Sequence, residues 1–598
     1  MTSNRREFLR KCAVTAPIVG LSALGTEVAA AEAPPRPTPP SGQGMGRLLV
    51  NHVGFVPVSA KTVIAVNPPQ SEFVVAKVEF NGQRVVLKAA FTGTLVETVG
   101  DMGRAWVGDF SDLKEEGIYV VHCGQVRSRR FMIQKRLFDY PLRVLFNYFP
   151  SQRCGDTPTG YNAPCHERDG KRVDNQQHMD VSGGWHMSCD CRKWMLGTPF
   201  GLIGLTRLGL VNHPRWDRGQ IEEELRWGNG YFFKMIRPDG GLMDHVVVPL
   251  GWDKERDLYP NDAPLPAFYL TIVGEAMAAE YFKTRDPKHQ AACLDMARKL
   301  WNYVNRKDAP MGPYKPPLVP PFHDFLHNWF QQQYSGSALA LGDSVYAALW
   351  MHKATGDKQF LDAACRDATR LCDLQIGGDV EKNPAAACFR EAAGKTEIAM
   401  ATYYGFFGAL GLCELAQTAD KHPDRPRWMD AIRRLAEQCC VMAKRNLFGL
   451  IPSYWYEKDP GPGRKAGTAF YGYFYNAFGM RMGVNHEVLG KALFLLRAYG
   501  LLHERRYLLT ATRQLDWVLG CNAFDMSTVE GVGYNQPERL ISAEFFPPTP
   551  QIPGAVMSGI IGDDNDEPLS QGWISHEYDM PPTSLLMWML SELQEISA

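Results

Sequence analysis

The sequence has no surplus of charge of either sign, since 64 lysines and arginines are balanced by 65 aspartates and glutamates. Nucleic acids and anionic membranes select basic proteins, so we expect no nucleic-acid partner. The sequence also lacks a helix–turn repeat of fixed length, which argues against a solenoid. The apolar stretch at about 12–24 is too short and too rich in glycine and alanine to span a membrane, which takes about 20 apolar residues. We therefore expect no stable membrane span in the mature chain.

The N-terminus has the layout of an export signal. Arg5-Arg6 precedes Phe8-Leu9, a mildly apolar stretch follows, and Ala31-Glu32-Ala33 offers a cleavage site between small residues. The arginine pair is typical of twin-arginine signals, so residues 1–33 are predicted to be the signal peptide of a periplasmic or secreted protein. An uncleaved anchor is the alternative. The 14 cysteines do not define a disulfide framework, because a large core does not need disulfides and buried free thiols are common.

Composition divides the rest of the chain into three parts. Residues 34–45 form a proline-rich linker. Residues 46–135 contain short β-branched and aromatic runs, such as Val63–Val66, separated by turn signals such as Asn81-Gly82, and this pattern predicts a small all-β sandwich. Residues 136–598 carry about a dozen segments of helical periodicity, mostly joined in pairs by short connections.

Many of these helical segments are apolar on more than one side. Residues 338–351 and 403–415 are examples. Such helices need cover on both faces, as in the inner ring of a barrel built from helical hairpins. The sequence therefore predicts a mainly α protein in which a helical barrel follows the sandwich.

The segment Asp180–Asp190, which reads DVSGGWHMSCD, is the most informative motif of the chain. It resembles the signature of glycoside hydrolase family 9, the inverting cellulases, which reads Asp-Val-Ser-Gly-Gly-Trp-His/Tyr-Asp-Ala-Gly-Asp. Leu515–Asn522 and Ser527–Gly533 are similar to further family segments, and Val50–Phe55 resembles the immunoglobulin-like domain of one subgroup. The resemblance covers essentially the whole mature chain. It implies an (α/α)6 barrel at 136–598 preceded by an immunoglobulin-like sandwich at 46–135.

The resemblance also implies two catalytic carboxyl groups. Inversion needs a base that deprotonates water and an acid that protonates the leaving oxygen on the opposite side of the scissile bond. Asp190 matches the family's base, and an aspartate that caps a helix beginning near Lys193 is the structural alternative. Glu577, which precedes the last helix, matches the acid, and a solvated carboxylate in the first helical turn is its alternative.

Three positions depart from the family pattern. The first aspartate of the signature, which helps to hold the attacking water, is Met187 here, and a thioether accepts hydrogen bonds poorly and carries no charge. The sequence leaves open whether Asp180 or Asp174 replaces it, whether the water is held differently, or whether catalysis is lost. The family's paired histidines and arginine after the Gly-x-Gly turn are not visible, and Arg539 is the candidate substrate-binding arginine. The family's Ile-Asp-x-Asn after the acid becomes a segment that begins Tyr578-Asp579.

Cysteine and histidine spacing supplies a candidate metal site. Cys154, Cys165, His166 and His186 offer two thiolates and two imidazoles, the donors of a closed tetrahedral zinc site. Buried free thiols explain the spacing equally well. Some family members carry a structural zinc beside the catalytic loop, so the resemblance implies a structural Zn²⁺ at these four residues. Cys189 and Cys191 are expected to be packing residues.

Aromatic side chains could stack on sugar rings. Trp185, Trp455 and Trp573 are the candidates for substrate contact, although most aromatic residues of a chain with 11% aromatics belong to the core. The resulting prediction is an inverting glycoside hydrolase that cleaves a β-linked oligo- or polysaccharide. Two alternatives remain: a catalytically impaired glycan-binding protein on the same scaffold, favoured by Met187, and a lyase or epimerase, because one fold hosts several chemistries. The sequence gives no indication of oligomeric state.

Overall fold

The structure is a computed structural model. It describes residues 46–597 except 83, 156–157, 161–163, 212–216, 248–254, 317–329, 400–406, 475–482, 538–550 and 571–574. The predicted signal peptide, the whole predicted linker, Arg539 and Trp573 therefore lie outside the described residues. No helix in the described part of the chain is both long enough and apolar enough to cross a bilayer.

Ten strands form the N-terminal sandwich. They are β1 Arg47–Leu49, β2 Gly54–Phe55, β3 Thr62–Val66, β4 Glu72–Asn81, β5 Arg84–Thr94, β6 Val96–Gly100, β7 Gly103–Asp109, β8 Gly117–Cys123, β9 Val126–Arg127 and β10 Phe131–Ile133. One sheet has the order β1-β3-β7-β6, and the other has the order β2-β10-β8-β4-β5 with β9 paired to β8. The rings of Phe110 and Phe131 meet Phe55 edge-on at 5.5 and 5.4 Å, so aromatic packing fills the space between the sheets.

Twelve helices of eight or more residues follow within the described ranges. They are α1 Asp139–Phe146, α2 Phe200–Leu210, α3 Arg218–Phe232, α4 Leu265–Phe282, α5 Pro287–Val304, α6 Ala338–Thr355, α7 Lys358–Asp373, α8 Phe407–Thr418, α9 Arg425–Ala443, α10 Asn485–Leu502, α11 Arg505–Val518 and α12 Met580–Ser597. Helices α2, α4, α6, α8, α10 and α12 pack each against the next, and α12 packs against α2. The ring is therefore closed, and the other six helices surround it, which confirms the (α/α)6 barrel.

The inner helices are buried on nearly every side, as their apolar sequences predict. In α4 all residues except Pro266 and Glu280 are buried. Helices α6 and α8 approach closely at Gly342 and Gly408, where a Cβ on Gly342 would lie 2.6 Å from the Gly408 Cα. Small residues at this crossing therefore bring the inner ring together.

The predicted helix near Lys193 is wrong. Lys193–Trp194 is instead a short strand, β12, paired with Met243–Val247 (β13), and α2 begins only at Phe200, directly after Pro199. The remaining described strands are β11 Lys171–Arg172, β14 Asp257–Asp262, β15 Tyr454–Tyr456, β16 Arg464–Ala466, β17 Ala469–Gly472, β18 Ile561–Gly562 and β19 Pro568–Leu569. Asp190 therefore does not cap a helix, and the loop that carries it is held by strand pairing at the N-terminal end of the inner helices.

The sandwich docks on the barrel through Asn51 and His52, which lie between β1 and β2. Asn51 Nδ2 donates a buried hydrogen bond of 2.9 Å to Asp516 Oδ1 on α11. The His52 backbone N–H donates to the Leu519 carbonyl at 2.9 Å, and its ring Nε2 lies 2.8 Å from Asp525 Oδ1. Two segments singled out in the sequence, 50–55 and 515–522, are thus the two sides of one interface.

Candidate active site and metal centre

Asp190 is fixed by three contacts with its own loop. Its Oδ1 accepts hydrogen bonds from the Ser188 hydroxyl at 2.8 Å and from the Arg192 backbone N–H at 3.0 Å. Arg192 Nη1 lies 3.2 Å from Asp190 Oδ2, so the two side chains form an ion pair. Asp190 is 5% exposed. The loop therefore holds this carboxylate in one orientation in a largely desolvated position.

Glu577 lies on an extended segment clamped between two others. The Ser558 backbone N–H donates to the Glu577 carbonyl at 2.6 Å, and the Asp579 N–H donates to the Val556 carbonyl at 3.0 Å. On the opposite edge, Asp579 forms an antiparallel bridge with Ser188. Backbone pairing thus brings the acid-bearing segment against the loop of Asp190.

The two catalytic candidates act on each other electrostatically. Glu577 is 7% exposed, and Cys189 Sγ lies 3.9 Å from its Oε1. Burial raises the pKa of Glu577 well above its ordinary value, and the charges of Asp190 and Asp579 raise it further, against hydrogen bonding from Ser188 and the charge of Arg192. A raised pKa favours the protonated form of the carboxyl group, which is the form that a general acid needs.

The side chain of Met187 packs in the hydrophobic core. Its sulfur packs so closely on Gly197 that a Cβ at that position would collide with it. The proposed replacements lie elsewhere: Asp174 is exposed and bonded to Arg172 Nε at 2.9 Å, and Asp180 is exposed with Lys234 Nζ at 2.9 Å. Both carboxylates are thus engaged by basic side chains, and whether either of them substitutes for the missing aspartate stays a prediction. The carboxylate that the structure places beside the pair is Asp579.

The two tryptophans predicted to stack on sugar that lie within the described residues differ in their exposure. Trp185 is 0% exposed, its indole N–H donates to Glu224 Oε2 at 3.2 Å, and Phe149 packs on its ring at 5.9 Å. A fully buried indole offers no face to a sugar, so the assignment of Trp185 to substrate binding is wrong, and the residue supports the loop from the core. Trp455, in β15, is buried with a small exposed edge and packs on Tyr471 at 5.7 Å, and its sugar contact stays a prediction.

The four predicted metal ligands converge on one buried point. The ligand atoms of Cys154, Cys165, His166 and His186 all lie within 4.8 Å of one another, and Cys165 Sγ is 3.4 Å from His186 Nε2. A tetrahedral zinc with bonds of roughly 2.0–2.3 Å places its ligand atoms roughly 3.3–3.8 Å apart, so small side-chain shifts suffice to close this set. Cys189 and Cys191 are buried but lie outside the cluster, as expected of packing residues. The donor set and its geometry therefore fit a structural metal.

Charged groups behind the cluster prepare it for a cation bound by thiolates. Arg256 Nη2 donates to Cys154 Sγ at 3.1 Å, while its Nε bonds Asp169 at 2.9 Å and Lys193 Nζ lies 2.8 Å from the same carboxylate. Burial works against ionisation of Cys154, but hydrogen bonding from Cys165 and the charges of Lys193 and Arg256 prevail and hold its pKa well below its usual range. Burial lowers the pKa of His186, which keeps the imidazole neutral as ligation requires.

Sequence reasoning missed Arg192, Asp579 and Arg256. Arg192 stands two residues after the base, but a single positive residue there has no spacing that marks it as a partner. Asp579 lies in a segment where the sequence departs from the family pattern. Arg256 meets Cys154 only because β11 and β14 pair in parallel and bring the segments on either side of them together. None of these contacts produces a periodic pattern in the sequence from which it could be predicted.

Comparisons with known proteins match both parts of the chain. The model of the family described as "Glycosyl hydrolase family 9" matches residues 138–576, and that described as "Cellulase N-terminal ig-like domain" matches residues 44–128. A cellodextrinase of Butyrivibrio fibrisolvens is 24% identical over 530 residues, covering 82% of this chain and 85% of that protein. Endoglucanase D of Acetivibrio thermocellus is 22% identical over 533 residues, covering 82% and 74%.

Solved structures share the fold across nearly the full length. A metagenome-derived glycoside hydrolase family 9 endoglucanase superposes with a TM-score of 0.66 at 20% identity, covering 92% of this chain and 99% of that one. A family 9 protein of Bacteroides ovatus gives 0.67 at 16% identity, with 92% and 99% covered. A triple mutant of a family 9 endoglucanase described as Zn-binding gives 0.65 at 19% identity, with 90% and 99% covered.

Proposed function

The chain belongs to glycosyl hydrolase family 9, and from that membership we propose that this glycoside hydrolase cleaves a β-linked glucan or a related oligosaccharide with inversion. Asp190 is the general base and Glu577 the general acid. The base takes a proton from water as the water attacks the anomeric carbon, and the acid gives its proton to the leaving glycosidic oxygen. The relatives named cellodextrinase and endoglucanase support a glucan as the substrate class.

The observation that carries the proposal is the meeting of two segments distant in sequence. The bridge between Ser188 and Asp579 sets Asp190 and Glu577 on adjacent backbone segments, each largely buried. Their environments differ in the way that the reaction requires. Burial and the neighbouring carboxylates raise the pKa of Glu577, whereas Asp190 is paired with Arg192. Two carboxyl groups with separated protonation behaviour are the pattern of an acid and a base.

The test is an assay of hydrolysis on mixed β-glucan oligosaccharides. It measures the appearance of new reducing ends and the anomeric configuration of the first product. We expect Asp190→Asn and Glu577→Gln each to lower kcat/KM by about 10²–10⁴-fold, the usual contribution of general acid–base groups. Asp174→Asn is the control, because Asp174 is exposed and precedes Asp190 by a short stretch of sequence. This variant is expected to leave kcat/KM unchanged. Retention of configuration, or full activity of either variant, would refute the mechanism.

The competing function is glycan binding without cleavage. Met187 favours it, because a thioether packed on Gly197 accepts hydrogen bonds from water poorly and supplies no charge. The same assay separates the two functions when it is paired with calorimetric titration of the oligosaccharides. A wild-type protein that binds glucan and releases no reducing ends, while Met187→Asp releases them, would establish the binding function.

We propose further that the cluster of two cysteines and two histidines holds a structural Zn²⁺. When bound, the ion would brace the segments on either side of the base loop, since Cys154 and His186 lie on paired backbone and Asp190 follows four residues later. We expect about one equivalent of zinc after native purification, with Cys154→Ser losing it and melting at lower temperature. Cys293→Ser, a buried thiol outside the cluster, is the control and keeps its zinc. Less than half an equivalent in the wild type would contradict the site.

Export and substrate contacts are also proposals. Residues 1–33 are proposed to direct export through the twin-arginine route, and replacement of Arg5-Arg6 by two lysines should retain the protein in the cytoplasm. Trp455, Trp573 and Arg539 are proposed to contact the glycan. Their replacement by alanine should raise KM more than it lowers kcat, as expected for groups that bind the ground state and the transition state equally.

A further inference from the structure

Arg256 is a fully buried arginine whose side chain reaches three different segments of the chain. Its Nε donates to Asp169 Oδ1 at 2.9 Å, and its Nη2 donates to the sulfur of Cys154 at 3.1 Å. Its Nη1 donates to the backbone carbonyl of Cys191. The guanidinium therefore joins a predicted metal ligand to the residue that directly follows Asp190, the proposed base.

Asp190 lies in a tight turn, in which the Cys191 N–H donates to the Ser188 carbonyl at 3.3 Å. Cys191 has a φ of 60°, in the left-handed region that residues with a Cβ seldom adopt. A conformation of this kind persists only when the surrounding structure holds it. The hydrogen bond from Arg256 to the Cys191 carbonyl supplies such a hold from outside the turn.

Arg256 is itself anchored on the side away from the turn. Its partner Asp169 is fully buried, and Asp169 Oδ2 lies 2.8 Å from Lys193 Nζ, which also donates to the Val181 carbonyl at 2.7 Å. The Arg256 backbone is fixed as well, because its carbonyl accepts the Gly170 N–H at 3.2 Å. A guanidinium is a rigid planar fork, so one that is anchored in this way sets the positions of the groups that it binds.

We infer that Arg256 is a positioning residue that holds the predicted metal centre and the turn of the base in one fixed arrangement. The inference rests on the proposed functions of Cys154 as a metal ligand and of Asp190 as the base. Arg256 touches neither metal nor substrate in this role. It acts through the sulfur of Cys154 on one side and through the carbonyl of Cys191 on the other, so loss of the fork should disturb both.

Arg256→Lys is the test variant, because lysine keeps the positive charge but presents one compact ammonium in place of five directed donors. A buried arginine can also matter for stability alone, so a matched control is needed. Arg207 provides it, since it lies in the last turn of α2, far along the helix from the base loop, and pairs with the buried Glu414. Both Arg256→Lys and Arg207→Lys are expected to melt at a lower temperature than the wild type.

Two measurements on the full-length protein report the two sides of the fork, and neither depends on activity. The first is the absorption spectrum with Co²⁺ in the metal centre, in which Arg256→Lys should shift the sulfur-to-cobalt charge-transfer band. The same variant should bind Zn²⁺ about 10–100-fold more weakly, the usual effect of removing a group that supports a metal ligand. The second is hydrogen–deuterium exchange of a peptide containing Ser188–Arg192, which should become faster. Arg207→Lys should leave the spectrum and the exchange unchanged.

Hydrolysis of β-glucan oligosaccharides adds a third measurement. We expect Arg256→Lys to lower kcat by about 10–100-fold, as for other residues that support a functional group from behind. Its KM should change little, because the fork contacts none of the residues proposed to bind the glycan. Arg207→Lys should retain the kcat of the wild type.

A shifted cobalt spectrum with unchanged exchange of the turn overturns the inference, and so does faster exchange with an unchanged spectrum. A change of both in Arg207→Lys overturns it too. If Arg256→Lys does not fold, Asp169→Asn replaces it; this variant removes the charge that anchors the fork and should move both measurements in the same direction by less, and no movement refutes the inference. A wild type that cleaves nothing refutes the proposed hydrolysis, while the spectrum and the exchange still judge Arg256. A wild type that binds neither Zn²⁺ nor Co²⁺ overturns the inference together with the metal site.

Discussion

The burial of Glu577, the proposed general acid, lowers the stability of the folded protein at neutral pH. Glu577 is buried next to Asp190 and Asp579, and its pKa is raised well above the ordinary 4.5. Between the ordinary and the raised pKa, the folded protein keeps a proton that the unfolded chain releases. Stability therefore falls as the pH rises through this window.

Glu577→Gln removes this dependence, because the amide does not titrate. We expect the melting temperature of the variant to exceed that of the wild type by a margin that is small at pH 4 and grows as the pH rises. Differential scanning calorimetry from pH 4 to pH 9 measures it. The exposed residue Glu79 provides the matched control, since Glu79→Gln should track the wild type throughout. A margin that is constant across this range would contradict the buried, protonated state of Glu577.

Single residues were predictable where a motif gave both their type and their position. The signature motif predicted Asp190, whose catalytic role stays a proposal. The spacing of cysteines and histidines predicted four metal ligands, and the structure brings these four together. The motif did not distinguish Trp185 as a core residue, because a tryptophan beside a glycine pair suits a sugar platform and a buried support equally. Asp579 and Arg192 could not be identified, since their importance arises from backbone pairing between segments far apart in the chain.

At the scale of elements, the closed ring of inner helices depends on small residues at their crossings. Gly342 on α6 faces Gly408 on α8, and a methyl group there would lie 2.6 Å from the opposite Cα. In α3, by contrast, a Cβ on Gly230 meets nothing within 4 Å. The two glycines are both helical, so the intrinsic gain from alanine is similar, about 1 kcal/mol.

Gly342→Ala and Gly230→Ala therefore form a matched pair with opposite expected signs. Gly230→Ala should raise the free energy of unfolding by up to about 1 kcal/mol through helix propensity. Gly342→Ala should lower it by about 1–3 kcal/mol, because the helices must move apart in a packed core. Urea unfolding of both variants tests the prediction. Equal stabilisation by the two substitutions would show that the α6–α8 crossing accommodates an added methyl group without strain.

The helices were predictable from periodicity, but one boundary was not. Apolar spacing placed a helix at Lys193, yet Lys193 and Trp194 pair with β13, and α2 starts seven residues later. Tertiary contacts hold Lys193 in the strand, since its ammonium lies 2.8 Å from Asp169 and 2.7 Å from the Val181 carbonyl. A local pattern cannot reveal a competing partner that is supplied by another segment.

At the scale of the whole molecule, several hydrogen bonds join the sandwich to the barrel, and the buried one between Asn51 and Asp516 involves a carboxylate. Asn51 Nδ2 donates to Asp516 Oδ1, and Asp516 Oδ2 has no hydrogen-bond partner among the described residues. Burial raises the pKa of Asp516 to about 6, while Arg513 and the hydrogen bond from Asn51 oppose the rise. The docking of two domains thus depends on a carboxylate that is ionised at neutral pH in a desolvated interface.

Asn51→Ala removes the group that stabilises the ionised form, so the pKa of Asp516 should rise above about 6. Below that value the carboxyl is protonated in both proteins, and the variant should lose only the pH-independent contribution of Asn51, which includes the hydrogen bonds that its Oδ1 accepts from the Val53 and Gly54 N–H groups. Above it the variant must either bury an unsolvated charge or keep a proton, and its free energy of unfolding should fall by about 1–3 kcal/mol. The loss in melting temperature is therefore expected to be larger at pH 8 than at pH 5.

The double variant Asn51→Ala/Asp516→Asn isolates the charge from the packing. It lacks the same amide but has no carboxyl group at the interface, so its melting temperature relative to Asp516→Asn should be the same at pH 5 and pH 8. A pH-dependent loss that persists in this pair would mean that a group other than Asp516 titrates at the interface. A loss confined to proteins that retain Asp516 would show that the sandwich contributes to the stability of the barrel through this one contact.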